Sequence, residues 1–117
     1  YNGGIIESLR YWGITGTDAT AYLQNPNVAY STATGDWKQK IGTQKWLALY
    51  NRGFDAWTEI RRLDYPVLPA PADPVTDFPV RYTYPVQEQN LNTAKWTEAA
   101  AAIGGDDVTT KLFWDKF

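Results

Sequence analysis

The sequence has no cysteine, no histidine and no methionine. Without cysteine there is no disulfide framework and no mark of a redox compartment. Without cysteine and histidine, most zinc and copper sites are excluded, as are nucleophilic triads built on either residue. Any catalysis would have to rest on carboxylates, lysine, tyrosine, serine or threonine. No run of 18 apolar residues is present, so no transmembrane helix is expected. No signal peptide is visible. The chain starts at Tyr1 rather than Met, which reads as a processed or truncated product. Eleven basic against thirteen acidic residues leave a net charge of −2. That balance lacks the clustered positive charge on which nucleic-acid binding rests, so no nucleic acid is expected as a partner.

Aromatics, by contrast, are abundant. Six Trp, eight Tyr and four Phe stand among 117 residues. A chain of this length suits one domain, and its 44% hydrophobic content can supply a core. Aromatic side chains either fill cores or line sites, so their number alone does not choose between the two.

The hydrophobic period is mostly helical. Ile5, Ile6, Leu9 and Trp12 recur at helical spacing over Asn2–Trp12, with Gly13 and Gly16 beyond. Thr17 or Asp18 can cap a second short helix through Leu23, which Asn25-Pro26 closes. Residues 30–36, "YSTATGD", read as a polar loop. The stretch "TQKWLALYNRGFDAWTEIRRLDYP", 43–66, reads as one long core helix with two adjacent apolar stripes. Trp46, Leu49, Gly53, Ala56 and Ile60 form one stripe. Leu47, Tyr50, Phe54 and Trp57 form the other. Gly53 is expected to admit a neighbouring backbone. Arg52 with Asp55, and Glu59 with Arg62, sit three apart and can pair on the solvated face.

Five prolines between Pro66 and Pro79 dictate an extended loop. Val80–Tyr84 can form a short edge strand ended by Pro85. Residues 87–92 read as a turn or short helix. Asn92 or Thr93 can cap a final helix through Ala102, stopped by Gly104-Gly105. Leu112, Phe113, Trp114 and Phe117 are expected to pack back on the body or on chain outside this sequence. The fold class is therefore mainly α: an irregular helical domain with long ordered loops and at most a short strand pair.

Three segments taken in order carry a family resemblance: "IGTQKWLALYNRGFDAWTEIRRLDYP" at 41–66, "FPVRYTYPVQEQNLN" at 78–92 and "TTKLFWD" at 109–115. The upstream "AYLQNPNVAY" at 21–30 fits the same pattern. Together they resemble the C-terminal part of the SusD/RagB family of nutrient-binding outer-membrane lipoproteins of Bacteroidetes-type bacteria. The specific combination is Gln44-Lys45-Trp46, Glu59 to Arg62 and Arg81, Tyr84-Pro85, Glu88, Asn90. Family members are several times longer, with tetratricopeptide-like helix pairs and a lipidated cysteine in the N-terminal part, none of which is here. The resemblance implies that 1–117 is a single C-terminal fragment of a lipid-anchored, cell-surface protein. It also implies non-catalytic binding of a nutrient, an oligosaccharide above all, for delivery to a SusC-type TonB-dependent transporter.

Sugar binding needs exposed aromatic faces with polar partners nearby. Tyr30 and Trp37 flank the polar loop outside the helical stripes and are the first ligand candidates. Trp96 on the last helix is the next. Gln44, Trp46, Trp57, Arg61, Arg62, Arg81, Tyr84 and Glu88 read as structural motif residues. Arg61 and Arg62 are expected to pair with Glu59, Asp64 or carbonyls near the helix C-terminus. Arg81 is expected to pair with Glu88 through charge-assisted bonds. Asp106-Asp107 reads as a helix cap rather than a cation site, since Ca²⁺ needs six or more oxygens. No metal, cofactor or catalytic residue is expected. Two alternatives stand beside the binding reading: a scaffold piece without its own ligand site, and a glycan-active enzyme, for which no carboxylate pair sits in a recognisable motif.

Overall fold

The computed structural model describes residues 1–115. The chain forms two compact units, Tyr1–Leu68 and Pro69–Phe117. Among the described residues there are six α-helices and no strand.

Unit 1 holds four helices: α1 (Asn2–Tyr11), α2 (Gly16–Gln24), α3 (Trp37–Ala48) and α4 (Gly53–Leu63). α1 ends where Gly13 takes a positive φ of 80°, a conformation that costs a side-chain-bearing residue far more. α3 begins at Asp36, whose carboxylate accepts the Gln39 amide at 2.9 Å and so satisfies one of the orphan N–H groups of the first turn. The buried apolar side chains of the unit are Ile5, Val28, Ala56, Ile60 and Leu63, the last only 1% exposed.

The expected long helix over 43–63 is two helices. The chain turns at 49–52, with the Arg52 amide donating to the Leu49 carbonyl at 2.8 Å. Asn51 and Gly53 are poor helix formers, and their proximity favours a turn over continued helix. The consequence is an antiparallel helical hairpin. Lys45 near the end of α3 meets Glu59 of α4 at 2.7 Å, and Lys38 near its start reaches Asp64 beyond α4 at 3.3 Å. The break also removes the second apolar stripe. Tyr50 is 84% and Phe54 73% exposed, and Leu47 is exposed as well.

The close backbone approach expected at Gly53 occurs at Gly42 instead. A Cβ on Gly53 would meet nothing within 4 Å, whereas one on Gly42 would lie 2.8 Å from the Tyr65 carbonyl oxygen. Gly42 is therefore where α3 admits the chain just beyond α4, whose Tyr65 packs against it through its carbonyl and its Cβ. Asp64 at φ 61° supplies the left-handed step that turns the chain off α4, and the Tyr65-Pro66 bond that follows is cis.

Unit 2 begins in the proline-rich extended run and holds α5 (Val86–Leu91) and α6 (Thr93–Ala102). Gly104 and Gly105 follow at φ 87° and 125°, so the stop expected there is present. Val80–Tyr84 is not a strand. The Val80 and Arg81 amides both donate to the single Val108 carbonyl, at 2.8 and 3.2 Å, which is a local tie rather than a ladder. Phe113 is 83% exposed and so does not pack on the body, the first of the two places expected for it, while Trp114 is partly exposed. Phe117 lies outside the described residues.

Candidate functional site

In unit 1, Tyr30 and Trp37 bracket the polar loop. Trp37 is not a loop residue: it is the first residue of α3, set there by the Asp36 cap, and is 52% exposed. Tyr30 is 46% exposed. The loop between them is tied down at both ends. The Lys40 ammonium donates to the Tyr30 carbonyl at 2.9 Å and lies 4.9 Å from the centre of its ring. The Tyr1 ring meets the Tyr30 ring edge-on at 5.1 Å, and the Tyr1 hydroxyl donates to the Val28 carbonyl at 2.6 Å. Burial raises the Tyr1 pKa, and the nearby Tyr22 and Tyr30 hydroxyls push the same way. This pair presents half-exposed aromatic rings on a backbone that is already ordered. Such pre-organisation lowers the entropic cost of binding.

The motif residues of unit 1 are built into the hairpin. The Tyr22 hydroxyl donates to the Gln44 side-chain oxygen at 2.9 Å, joining α2 to α3. Trp46 is partly exposed on the same helix. The Arg61 guanidinium stacks on Trp57 with 3.9 Å to the ring centre, a cation–π contact within α4. Arg62 pairs with Glu59 at 2.6 Å, as the spacing predicts. Arg52 likewise pairs with Asp55 at 2.7 Å. Burial raises the Glu59 carboxyl, but hydrogen bonds and charge from Lys45 and Arg62 outweigh it and leave the pKa lowered.

Unit 2 is organised by a residue that the sequence reading assigned to a cap. Asp106 does not cap a helix. Its carboxylate takes the Trp96 indole N–H at 2.9 Å, the Tyr84 amide at 3.0 Å and the Arg81 guanidinium at 3.1 Å. The Arg81 and Asp106 side chains are 6% and 3% exposed. Burial alone would raise the Asp106 pKa. The bonds from Trp96 and Tyr84 and the Arg81 charge prevail, so it is lowered. The expected Arg81–Glu88 pair is therefore replaced by Arg81–Asp106. Glu88 stands on exposed α5, where it accepts from Asn92 at 3.1 Å. Arg81 also lies 5.0 Å from the centre of the Tyr84 ring. Asp107 orders the next turn, accepting from the Thr109 amide and hydroxyl, both at 3.0 Å.

Trp96 thus belongs to unit 2, and Tyr30 and Trp37 to unit 1. Trp96 is half-buried with its N–H already engaged. Tyr1 and Lys40 were missed in the sequence because neither stands in an apolar period or a charge run. Among the described residues no cluster of three or more Asp or Glu is placed to hold a metal. No helix among them is long and apolar enough to cross a membrane.

Unit 1 also carries an apolar groove of about 600 Å³. α1 contributes Ile5, Leu9 and its C-cap Trp12, and α3 contributes Ile41 and Ala48. The period of α1 noted in the sequence is the wall of this groove.

An all-helical chain built on this hairpin has solved counterparts. The fold superposes on a Bacteroidetes AC2a SusD-like structure with a TM-score of 0.84 at 29% sequence identity. That match covers 100% of this chain and 25% of the other, so the chain spans a quarter of that relative's length. A SusD-like family described as "Starch-binding associating with outer membrane" matches residues 1–85, and the chain belongs to that family. No curated protein sequence matches it.

Proposed function

We propose that the chain is the C-terminal part of a longer, lipid-anchored protein of the bacterial surface. That protein binds an oligosaccharide without chemistry and delivers it to a SusC-type TonB-dependent transporter. The observation that carries this reading is the family match over residues 1–85, whose description joins starch binding to the outer membrane. The arrangement of unit 1 supports it. Trp37 and Tyr30 offer half-exposed rings beside a tethered loop rich in hydroxyls, the combination that a pyranose uses through its C–H face and its hydroxyls.

A second reading is favoured by one observation in unit 2. The indole N–H of Trp96, the third ligand candidate, is taken up by the Asp106 carboxylate. That use is structural, and it supports a scaffold role for this unit, with sugar contacts lying elsewhere.

Calorimetric titration of the longer protein with maltooligosaccharides tests both readings. Trp37→Ala is expected to weaken binding by about 1–2 kcal/mol, on the order of an aromatic contact with its buried area, with an unchanged melting temperature. Wild-type affinity in Trp37→Ala and Tyr30→Ala together would extend the scaffold role from unit 2 to unit 1 and leave the whole chain without a ligand site of its own. Release of reducing sugar by the purified protein would overturn the non-catalytic reading.

A further inference from the structure

The loop between Tyr30 and Trp37 is fastened at two places along its length. In its near half the Thr32 hydroxyl donates to the Pro26 carbonyl and the Ala33 amide to the Ala29 carbonyl, both at 2.8 Å. Its far half runs through Gly35, directly before the cap Asp36 and the ring-bearing Trp37. There the hold comes from the first turn of α3. A Cβ on Gly35 would fall on the Gln39 carboxamide and lie 2.9 Å from the Gln39 Cβ. The Gln39 side chain therefore folds back over Gly35 and fills the space that a side chain there would need.

The sequence explains the fold-back. Asp36 and Gln39 stand at the spacing of a capping box, in which the third helical residue turns its side chain toward the cap. One half of the box is the bond from the Gln39 amide to the Asp36 carboxylate at 2.9 Å. Gly35 itself stands at φ 86°, in the left-handed region that a side-chain-bearing residue enters at a cost. Two independent constraints, backbone angle and space, thus meet at this residue, and glycine satisfies both. Loop and helix are fitted to each other beside Trp37.

We propose that Gln39 is a positioning residue of the candidate sugar site: packed on Gly35, it fixes the far half of the loop and with it the placement of the Trp37 ring relative to Tyr30. This rests on the reading that those two rings take the sugar. A site ordered in advance is spared the ordering that otherwise weakens binding. Gln39 is only partly buried, so loss of its packing shows in affinity and not in global stability.

The test combines calorimetric titration of the longer protein with maltooligosaccharides and fluorine NMR of 5-fluorotryptophan protein, the Trp37 signal being assigned by its loss in Trp37→Phe. Gln39→Ala is expected to weaken binding about three- to tenfold, the effect of leaving one side chain to be ordered on binding. Its melting temperature should be unchanged, and its Trp37 signal should broaden or split before sugar is added. Gln39→Glu keeps the capping box and is expected to restore both the affinity and the single sharp signal. Weakened binding with a wild-type Trp37 signal would make the carboxamide a sugar contact and overturn the proposal. So would full affinity in Gln39→Ala, or a fall in its melting temperature that makes Gln39 a general support of α3. The underlying reading is tested separately by Trp37→Ala. If Trp37→Ala weakens binding and Gln39→Ala does not, the positioning role alone falls. Wild-type affinity in Trp37→Ala would remove the sugar site, and the proposal with it.

Discussion

The two units solve the same problem by opposite means. In unit 1 the buried side chains are aliphatic, and the ion pairs lie at the edges of the hairpin. In unit 2 the buried side chains are charged: Arg81 and Asp115, with Asp106 gathering Arg81, Trp96 and Tyr84 around one carboxylate. The proline-rich run explains the difference. Proline forbids the regular ladders that would bring apolar faces together, so the end of the run, at Val80, Arg81 and Tyr84, is held by a few directed bonds instead. Non-directional apolar packing tolerates small shifts. A buried polar hub does not, because each partner removed leaves another unsatisfied.

The largest expected effect breaks the apolar side of this comparison. Leu63→Ala deletes the most buried side chain of unit 1, and a buried leucine truncation costs about 2–5 kcal/mol. Amide exchange measured on peptides from α3 and α4 should accelerate accordingly. Unchanged exchange would mean that the hairpin is held by its rim charges rather than by its core.

An intermediate effect sharpens the polar side. The Asp106 pKa is lowered in the folded unit. A group of this kind gives its full contribution above its unfolded value of about 3.9 and loses it as pH falls through the lower folded value. The Trp96 indole and Tyr84 amide resonances should therefore hold steady down to about pH 4 and move together below it. In Asp106→Asn that joint acid transition should vanish, and α6 should exchange faster at pH 7 because Arg81 is left buried without its carboxylate. Persistence of the transition in Asp106→Asn would assign it to another carboxylate.

The smallest effect serves as the contrast. Arg52 and Asp55 pair at 2.7 Å, but both are more than half exposed, and a surface pair of this kind is worth about 0–1 kcal/mol. Arg52→Ala should leave the melting temperature within a degree or two. A drop as large as that of Leu63→Ala would contradict the division between core and rim.

Much of unit 1 could be read from the sequence because helices are local. The Ile5–Leu9–Trp12 period, the Gly13 stop and the Arg62–Glu59 spacing each act within two turns, and each recurs in the structure. The candidate site was legible in part for the same reason. The loop between Tyr30 and Trp37 was visible, whereas its ties to Tyr1 and Lys40 were not. The misread long helix shows where locality ends. Apolar residues at helical spacing run straight through "LALYNRGFDAW", and the period is blind to a turn that changes which face they serve.

By itself, then, the sequence determined the helical class, the positions of α1 and α6, the loop at 30–36 and the chemistry that the missing cysteine and histidine exclude. Only the tertiary structure decided that α3 and α4 fold back on each other with Gly42 against Tyr65, and that Arg81 takes Asp106 rather than Glu88. The reason is physical. A helical period or a cap is set by neighbours a few residues apart, at little entropic cost. A contact between Arg81 and Asp106 requires closing a loop, and the nearer Glu88 would be the cheaper partner by chain entropy. Burial reverses that preference: at Asp106 the guanidinium, an indole N–H and a backbone amide converge on one desolvated carboxylate, and bonds of that kind are strong enough to outweigh the longer loop.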